Sequence, residues 1–306
     1  MRYRPGSASS RISDRSRVIA AAIDVGTNTT RLLVAEVADG RITPLAADGV
    51  MTALGAGLDR SGRIADVGLD LVARTTAAMS ERARALGAER LVIACTAVGR
   101  DADNAADLLD RIAAATGSAP RVLTGEQEAT LTYAGLVAAG SGDGDLVAAD
   151  LGGGSLELMG GHRGHLEWAT SLPIGVRRIT ERHRIGDPPD PASFEPIVAE
   201  VAALVRPVAA DHPAPAVLAT GGSAAALGVL AGTGHLDGTA LAAVPDALAG
   251  RSADDVAAAT GLDPARVRLC LAGAGALEGV RRAFALDGLE ISHAGLREGL
   301  VLEAIG

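Results

Sequence analysis

The chain contains no lysine: all 28 of its basic residues are arginine. That absence removes several chemistries at once. A P-loop nucleotidase needs a lysine on its phosphates, a protein kinase needs one on a strand, and Schiff-base chemistry needs an amine. Aromatic residues are almost as scarce, at 2% of 306 residues. Single-stranded nucleic acid would find no stacking platform, and the cores must be built from Ala, Val, Leu and Ile. Cys95 and Cys270 are too few for a disulfide framework and suit a reducing cytoplasm. The least charged stretch, Ala214 to Gly234, is interrupted by Gly221, Gly222 and Gly232, so no membrane span is expected. A net charge of -9 argues against nucleic acid and membrane surfaces as partners. An anionic substrate would have to be held by backbone amides, a few arginines or a metal.

What is present is α/β patterning. Residues 1–17 carry five arginines with serines and no apolar segment, which reads as a disordered tail with no signal peptide. Val18 to Asp24 and Thr30 to Val37 are apolar runs joined by a Gly-Thr-Asn turn, a hairpin signal, with Arg41 to Leu45 as a third strand. Helical spacing follows over Ala65 to Leu86, a buried strand over Arg90 to Ala97, and a helix over Asp101 to Gly117. A short strand at "RVLTG" precedes a helix from Glu126 to Ala139. The pattern then restarts. Asp145 to Asp150 and Ser155 to Met159 flank "GGG", Leu166 to Leu172 follows, and a helix is expected from Phe194 to Val208. "AVLATGG" reads as a strand into a glycine turn, the alanine-rich sequence beyond it as mostly helical, and "LEISHAGLREGLVLEAI" as strand, turn and helix. Asp24 and Asp150 end the first strand of each half, a domain's length apart, so the chain reads as an α/β duplication.

The two turns carry a chemical implication. Gly26, Thr27 and Asn28 in one, and Gly152, Gly153, Gly154 and Ser155 in the other, present consecutive backbone N–H groups suited to phosphate oxygens. A carboxylate beside phosphate is repulsive unless a divalent cation lies between them, which makes Asp24 and Asp150 metal-side candidates. His162 and His165 stand at H-x-x-H spacing, but no further ligand clusters with them and zinc is not expected.

These paired turns resemble those of the actin/Hsp70/sugar-kinase superfold, in which a ribonuclease-H-like domain occurs twice. Further segments resemble one branch of it, the exopolyphosphatase/guanosine-pentaphosphate phosphatase (Ppx/GppA) family. "TAVGRDADN" matches the family's T-S-A-x-R-x-A-x-N at Thr96, Arg100, Ala102 and Asn104; "TGEQEATLTYAG" matches its S-G-x-E-E-A segment, with Glu128 as the second glutamate. "ATGGS" and "GLREGL" match its later turn and its closing motif. The resemblance implies two domains with mixed sheets flanked by helices, the first over residues 18–135 plus 294–306 and the second over 136–293, with the active site in the cleft between them. It also implies roles. Glu128 would be the base that activates water, and Arg100 would neutralise phosphate charge. Gly221, Gly222 and Ser223 would join the phosphate-binding groups. Glu157, two residues past Ser155 and on its strand face, is by its spacing a further candidate to complete a Mg²⁺ or Mn²⁺ site with Asp150. Arg297 and Glu298 would tie the last helix to the first domain.

Four positions depart from the family pattern: Gln127 for a glutamate, Gly99 for an apolar residue (expected to loosen its loop), Leu156 for threonine and Ala219 for glycine. The C-terminal helical domains of longer members have no counterpart, so processive action on very long chains is not expected. The resulting expectation is a cytoplasmic, homodimeric hydrolase that removes terminal phosphate from inorganic polyphosphate or the 5′ γ-phosphate from guanosine pentaphosphate. Two alternatives stay open: an ATP-using kinase or ATPase of the same superfold, and a non-catalytic sensor of polyphosphate or an alarmone.

Overall fold

A computed structural model describes residues 17–306. The expected N-terminal tail therefore lies outside the described residues, apart from Arg17, whose Nε pairs with Glu36 at 2.8 Å. The first apolar runs form β1 (Val18–Val25) and β2 (Thr29–Ala38), an antiparallel hairpin. β3 (Arg41–Met51) continues well past Leu45. Its side chains are mostly solvent-facing, so pairing with β2 and not an apolar pattern fixes its length. Then come α1 (Leu58–Ser61), α2 (Asp66–Ala85), β4 (Arg90–Cys95), α3 (Ala97–Asp101), α4 (Ala105–Thr116), β5 (Arg121–Val122) and α5 (Gly125–Leu136). The helix expected from Asp101 to Gly117 thus starts only at Ala105, and a short helix, α3, stands ahead of it. Asn104 holds the break, accepting from the Ile64 amide at 2.9 Å and donating to its carbonyl at 3.0 Å. β1, β4 and β5 run parallel, giving the order β3-β2-β1-β4-β5.

The second half repeats this plan. β6 (Asp145–Leu151), β7 (Leu156–His162) and β8 (His165–Leu172) form an antiparallel meander, followed by α6 (Val176–Arg182) and α7 (Phe194–Asp211). β9 (Leu218–Thr220) lies parallel to β6 and runs straight into α8 (Gly221–Ala231), so the expected glycine turn is the start of a helix. β10 (His235–Asp237), α9 (Gly238–Leu248), α10 (Ala253–Thr260), α11 (Pro264–Val267), α12 (Cys270–Ala283), β11 (Gly288–Ile291) and α13 (Leu296–Ile305) complete the chain. From its far edge this sheet reads β8-β7-β6-β9-β11, the order of the first, with β10 added outside. The duplication is one of topology.

Strand alternation divides the cores. Ala21, Ile23 and Val25 of β1 face α2 and α4, while Ala20 and Ala22 meet Leu296, Leu300 and Val301 of α13. In the second sheet Ala149 and Leu151 face α7 and α12, while Ala148 meets Ala129, Tyr133 and Leu136 of α5. The two middle helices are therefore exchanged. α5, from the first half, lies on the second sheet; α13, from the end of the chain, lies on the first. They cross where Gly135 meets Gly295 and Gly299 meets Leu131; a Cβ on Gly299 would stand 1.9 Å from the Leu131 carbonyl oxygen. Each sheet with its helices forms one lobe. Among the described residues no helix is long and apolar enough to cross a membrane.

Candidate active site

Both hairpin turns close in the same way. Gly26 N–H donates to the Thr29 carbonyl at 3.1 Å, and Gly152 N–H donates to the Ser155 carbonyl at 3.0 Å. The amides between, those of Thr27, Asn28, Gly153 and Gly154, meet no acceptor among the described residues. They line a cleft of about 300 Å³ between the lobes, together with Asp24, Asp150, Glu128, Ser155 and the first turn of α8 from Gly221 to Ser223. Thr220 precedes that helix without a side-chain cap, which leaves its leading amides for a ligand. All the residues expected at the site line this cleft except Arg100 and Glu157, which stand directly behind its wall.

The triple glycine serves a second purpose. A Cβ on Gly153 would lie 2.7 Å from Asn28 Nδ2, and one on Gly154 would lie 2.7 Å from the Ala97 Cβ and 2.8 Å from Thr27 Oγ1. The bare backbone lets one turn close on the other.

Glu128 sits in the first turn of α5, positioned by a reciprocal cap. Thr124 Oγ1 accepts from Gln127 N–H at 3.1 Å, and Gln127 Oε1 accepts from Thr124 N–H at 2.9 Å. Gln127, a departure from the family pattern, thus orients the neighbouring glutamate. Gly99 does not loosen its loop: it is buried, and a Cβ there would meet Val122 at 3.0 Å and Cys95 at 3.1 Å. That packing seats α3, so Arg100 reaches Glu128 Oε2 at 2.8 Å, the Leu123 carbonyl at 2.8 Å and Ser155 Oγ at 3.4 Å. Glu157 stands opposite Asp150 in the β6–β7 register. It is fully buried, accepts from Ser171 Oγ at 2.7 Å, and keeps Oε2 without a partner.

The electrostatics follow from burial. Glu128 is held well above the ordinary glutamate range by burial first and the Glu157 carboxylate second, with Arg100 opposing both. Burial, then Asp150, pushes Glu157 up to about 7. Asp24 rises to about 6 through burial, with Arg31 and Arg297 opposing, and burial likewise raises Asp150.

Sequence reasoning did not place three cationic groups at the cleft, Arg297 being expected only to tie the last helix to the first domain. Arg31 pairs with Asp24 in the β1–β2 register, Arg266 donates to Thr29 Oγ1 at 2.7 Å, and Arg297 lines the cleft wall. Arg31 occupies the hairpin position that Glu157 occupies in the other lobe, a signal available from the spacing of Asp24 and Asp150. Arg266 had none, lying in sequence legible only as alanine-rich helix. Arg297 acts on the charges of Asp24 and Asp150, and Glu298 accepts from the Gly295 amide at 2.8 Å to cap α13. Of that expected tie between helix and first lobe, the packing is made instead by Leu296, Leu300 and Val301.

Among the described residues no three His, Cys, Asp or Glu side chains group as a ready-made metal site. Asp24 and Asp150 nevertheless fit a hard divalent cation. Both carboxylates line the cleft, and Asp24 Oδ1 is buried without a partner. Mg²⁺ commonly takes one or two carboxylates and fills its shell with water and phosphate oxygens.

The chain is 30% identical over 299 residues to Exopolyphosphatase 1 of Mycobacterium tuberculosis, covering 92% of this chain and 87% of that protein. It is 33% identical over 166 residues to the guanosine-5′-triphosphate,3′-diphosphate pyrophosphatase of Vibrio cholerae, covering 53% of this chain and 33% of that one. A solved exopolyphosphatase-like protein superposes with a TM-score of 0.84 at 25% identity, over 94% of this chain and 97% of the other. Residues 33–306 match the Ppx/GppA phosphatase family. That match begins inside β2 and runs to the last residue, so it takes in every cleft residue except those of the first hairpin, Asp24 to Arg31, and the chain belongs to the Ppx/GppA phosphatase family.

Proposed function

We propose that this protein is a phosphoanhydride hydrolase that releases terminal phosphate from inorganic polyphosphate or the 5′ γ-phosphate from guanosine pentaphosphate. The observation that carries this reading is Glu128: a glutamate only 7% exposed, lining the cleft beside the free turn amides and held by Arg100 at 2.8 Å. The terminal phosphoryl sits among the free amides of the two turns and of α8. Glu128 orients a water and takes its proton as the water oxygen bonds to phosphorus and the bond to the bridging oxygen breaks. Burial keeps Glu128 a stronger base than an exposed carboxylate, and Arg100 keeps it aimed. Asp24 and Asp150 hold Mg²⁺ or Mn²⁺, which neutralises charge on the phosphates when bound. The arginines at the far end balance the phosphates that remain. Similarity to both an exopolyphosphatase and a guanosine-pentaphosphate hydrolase supports the two substrate classes.

The test offers short and long polyphosphate, guanosine pentaphosphate and ATP with Mg²⁺ or Mn²⁺, and follows phosphate release. Glu128→Gln is expected to lower kcat by about 10²–10⁴ with little change in KM, the range for loss of a general base. Release unaffected by that substitution removes Glu128 from its role. Tight binding without release from any substrate supports the sensor instead. The reading extends to a cytoplasmic homodimer, supported by two buried free thiols, Cys95 and Cys270, and by the family resemblance. Light scattering at micromolar concentration checks the dimer, and a monomer there retires that part.

A further inference from the structure

Behind the two phosphate turns the lobes meet a second time, in a contact that hydrolysis itself does not use. Val176 N–H and Arg177 N–H, at the start of α6, donate to the carbonyls of Gly152 and Gly153 at 3.0 Å each. Helix-terminal amides that would otherwise lack partners thus grip the triple-glycine turn. The next residue, Arg178, crosses to the other lobe. Its Nη1 lies 3.4 Å from Asp59 of α1, and its Nη2 donates to Asp101 at the end of α3. One turn later Glu181 accepts from the Gly57 amide at 3.3 Å and pairs with Arg177 at 3.3 Å. The void these residues leave behind Thr27 and Gly154 is about 10 Å³, room for at most a single water. Asp101 is covalently joined to Arg100, whose guanidinium holds Glu128. A single arginine therefore connects the segment that grips one phosphate turn to the segment that aims the proposed base.

We propose that Arg178, with Asp59 and Asp101, is a latch that fixes the spacing of the two lobes and so positions Arg100 and the triple-glycine turn around the substrate. Arg178 is a positioning residue, since it touches neither the cleft nor the reacting atoms. Its planar fork presents a separate nitrogen to each of the two carboxylates in a fixed geometry. The kinetic consequence rests on the hydrolase reading above; the structural consequence does not.

The experiment compares Arg178→Ala, Asp101→Asn, their combination and the charge exchange Arg178→Asp with Asp101→Arg, each by kinetics and by solution X-ray scattering. Arg111→Ala, which breaks exposed pairs within the first lobe, is the control. Each single latch variant is expected to lower kcat about tenfold, ~1.4 kcal/mol, with KM within a factor of about three. The combination should lose little more than either alone, the exchange should recover part of the loss, and the radius of gyration should rise in Arg178→Ala. Wild-type kcat in both single variants, or fully additive losses, overturns the latch. Should the wild-type protein hydrolyse no phosphoanhydride, the hydrolase reading fails alone, and an unchanged radius of gyration in Arg178→Ala then overturns the latch independently.

Discussion

Asp24 is a carboxylate whose charged form burial disfavours. Its Oδ1 is buried with no partner, and its carboxyl titrates at about 6 in place of 3.8. Between those values the folded protein binds more protons than the unfolded chain, so stability falls as pH rises through that window. Asp24→Asn removes the buried charge while keeping the shape. It is expected to raise stability by about 1–3 kcal/mol at pH 7.5 and to leave it nearly unchanged at pH 4, the range that a rise from 3.8 to about 6 permits. Calorimetry at the two pH values checks this, and an equal gain at both would show that titration of Asp24 is not the source. Hydrolysis should be lost in the same variant, and Mg²⁺ should stabilise the wild-type protein but not the variant. A carboxylate kept at a cost in stability is what a cation site requires.

At the scale of elements, the crossing of α5 and α13 joins the lobes. Gly299 has no room for a side chain, because the obstruction is the Leu131 carbonyl, backbone that cannot rotate aside. Gly299→Ala is expected to force the helices apart and cost about 1–3 kcal/mol, the range for overpacking. Activity should fall with it, since Glu128 and Thr132 lie on α5 and Thr132 Oγ1 reaches Asp150 at 3.5 Å. Urea unfolding checks the first effect; wild-type stability would mean that the helices separate freely at this point. Much of this level was legible in advance. Apolar runs ending in Asp and Gly marked both hairpins, because a buried central strand must be apolar and its turn must be small. The break at Asn104 and the short β10 were not legible. One depends on side-chain bonds to Ile64, far along the chain, and the other on an edge pairing with β11. The α5–α13 exchange was also hidden, because both segments read simply as helices, with no marked apolar face to say which sheet each covers.

The whole molecule is two copies of one scaffold whose hairpins differ in charge at one equivalent position. Asp24 and Asp150 end equivalent strands, yet the residue paired with the first is Arg31 and the residue paired with the second is Glu157. The sequence showed the repeat because topology repeats with the chain. It did not show that Arg31, Arg266 and Arg297 converge, because that depends on folding three distant segments onto one wall. On the proposed reading the labour is divided: Arg31, Arg266 and Arg297 would bind the remaining phosphates, while Glu128 and Glu157 would serve proton transfer. Arg31→Met should therefore raise KM at least tenfold with kcat little changed, the loss of a charge-assisted contact. Glu157→Gln should do the reverse, lowering kcat with KM little changed. It should also move the acid limb of the rate profile to lower pH, because the Glu157 charge helps hold Glu128 high and its removal lets Glu128 ionise earlier. The paired pH profiles of the two variants decide the matter. An acid limb that stays in place in Glu157→Gln, or a kcat loss in Arg31→Met, would mean that binding and proton transfer are not divided between these two groups of residues.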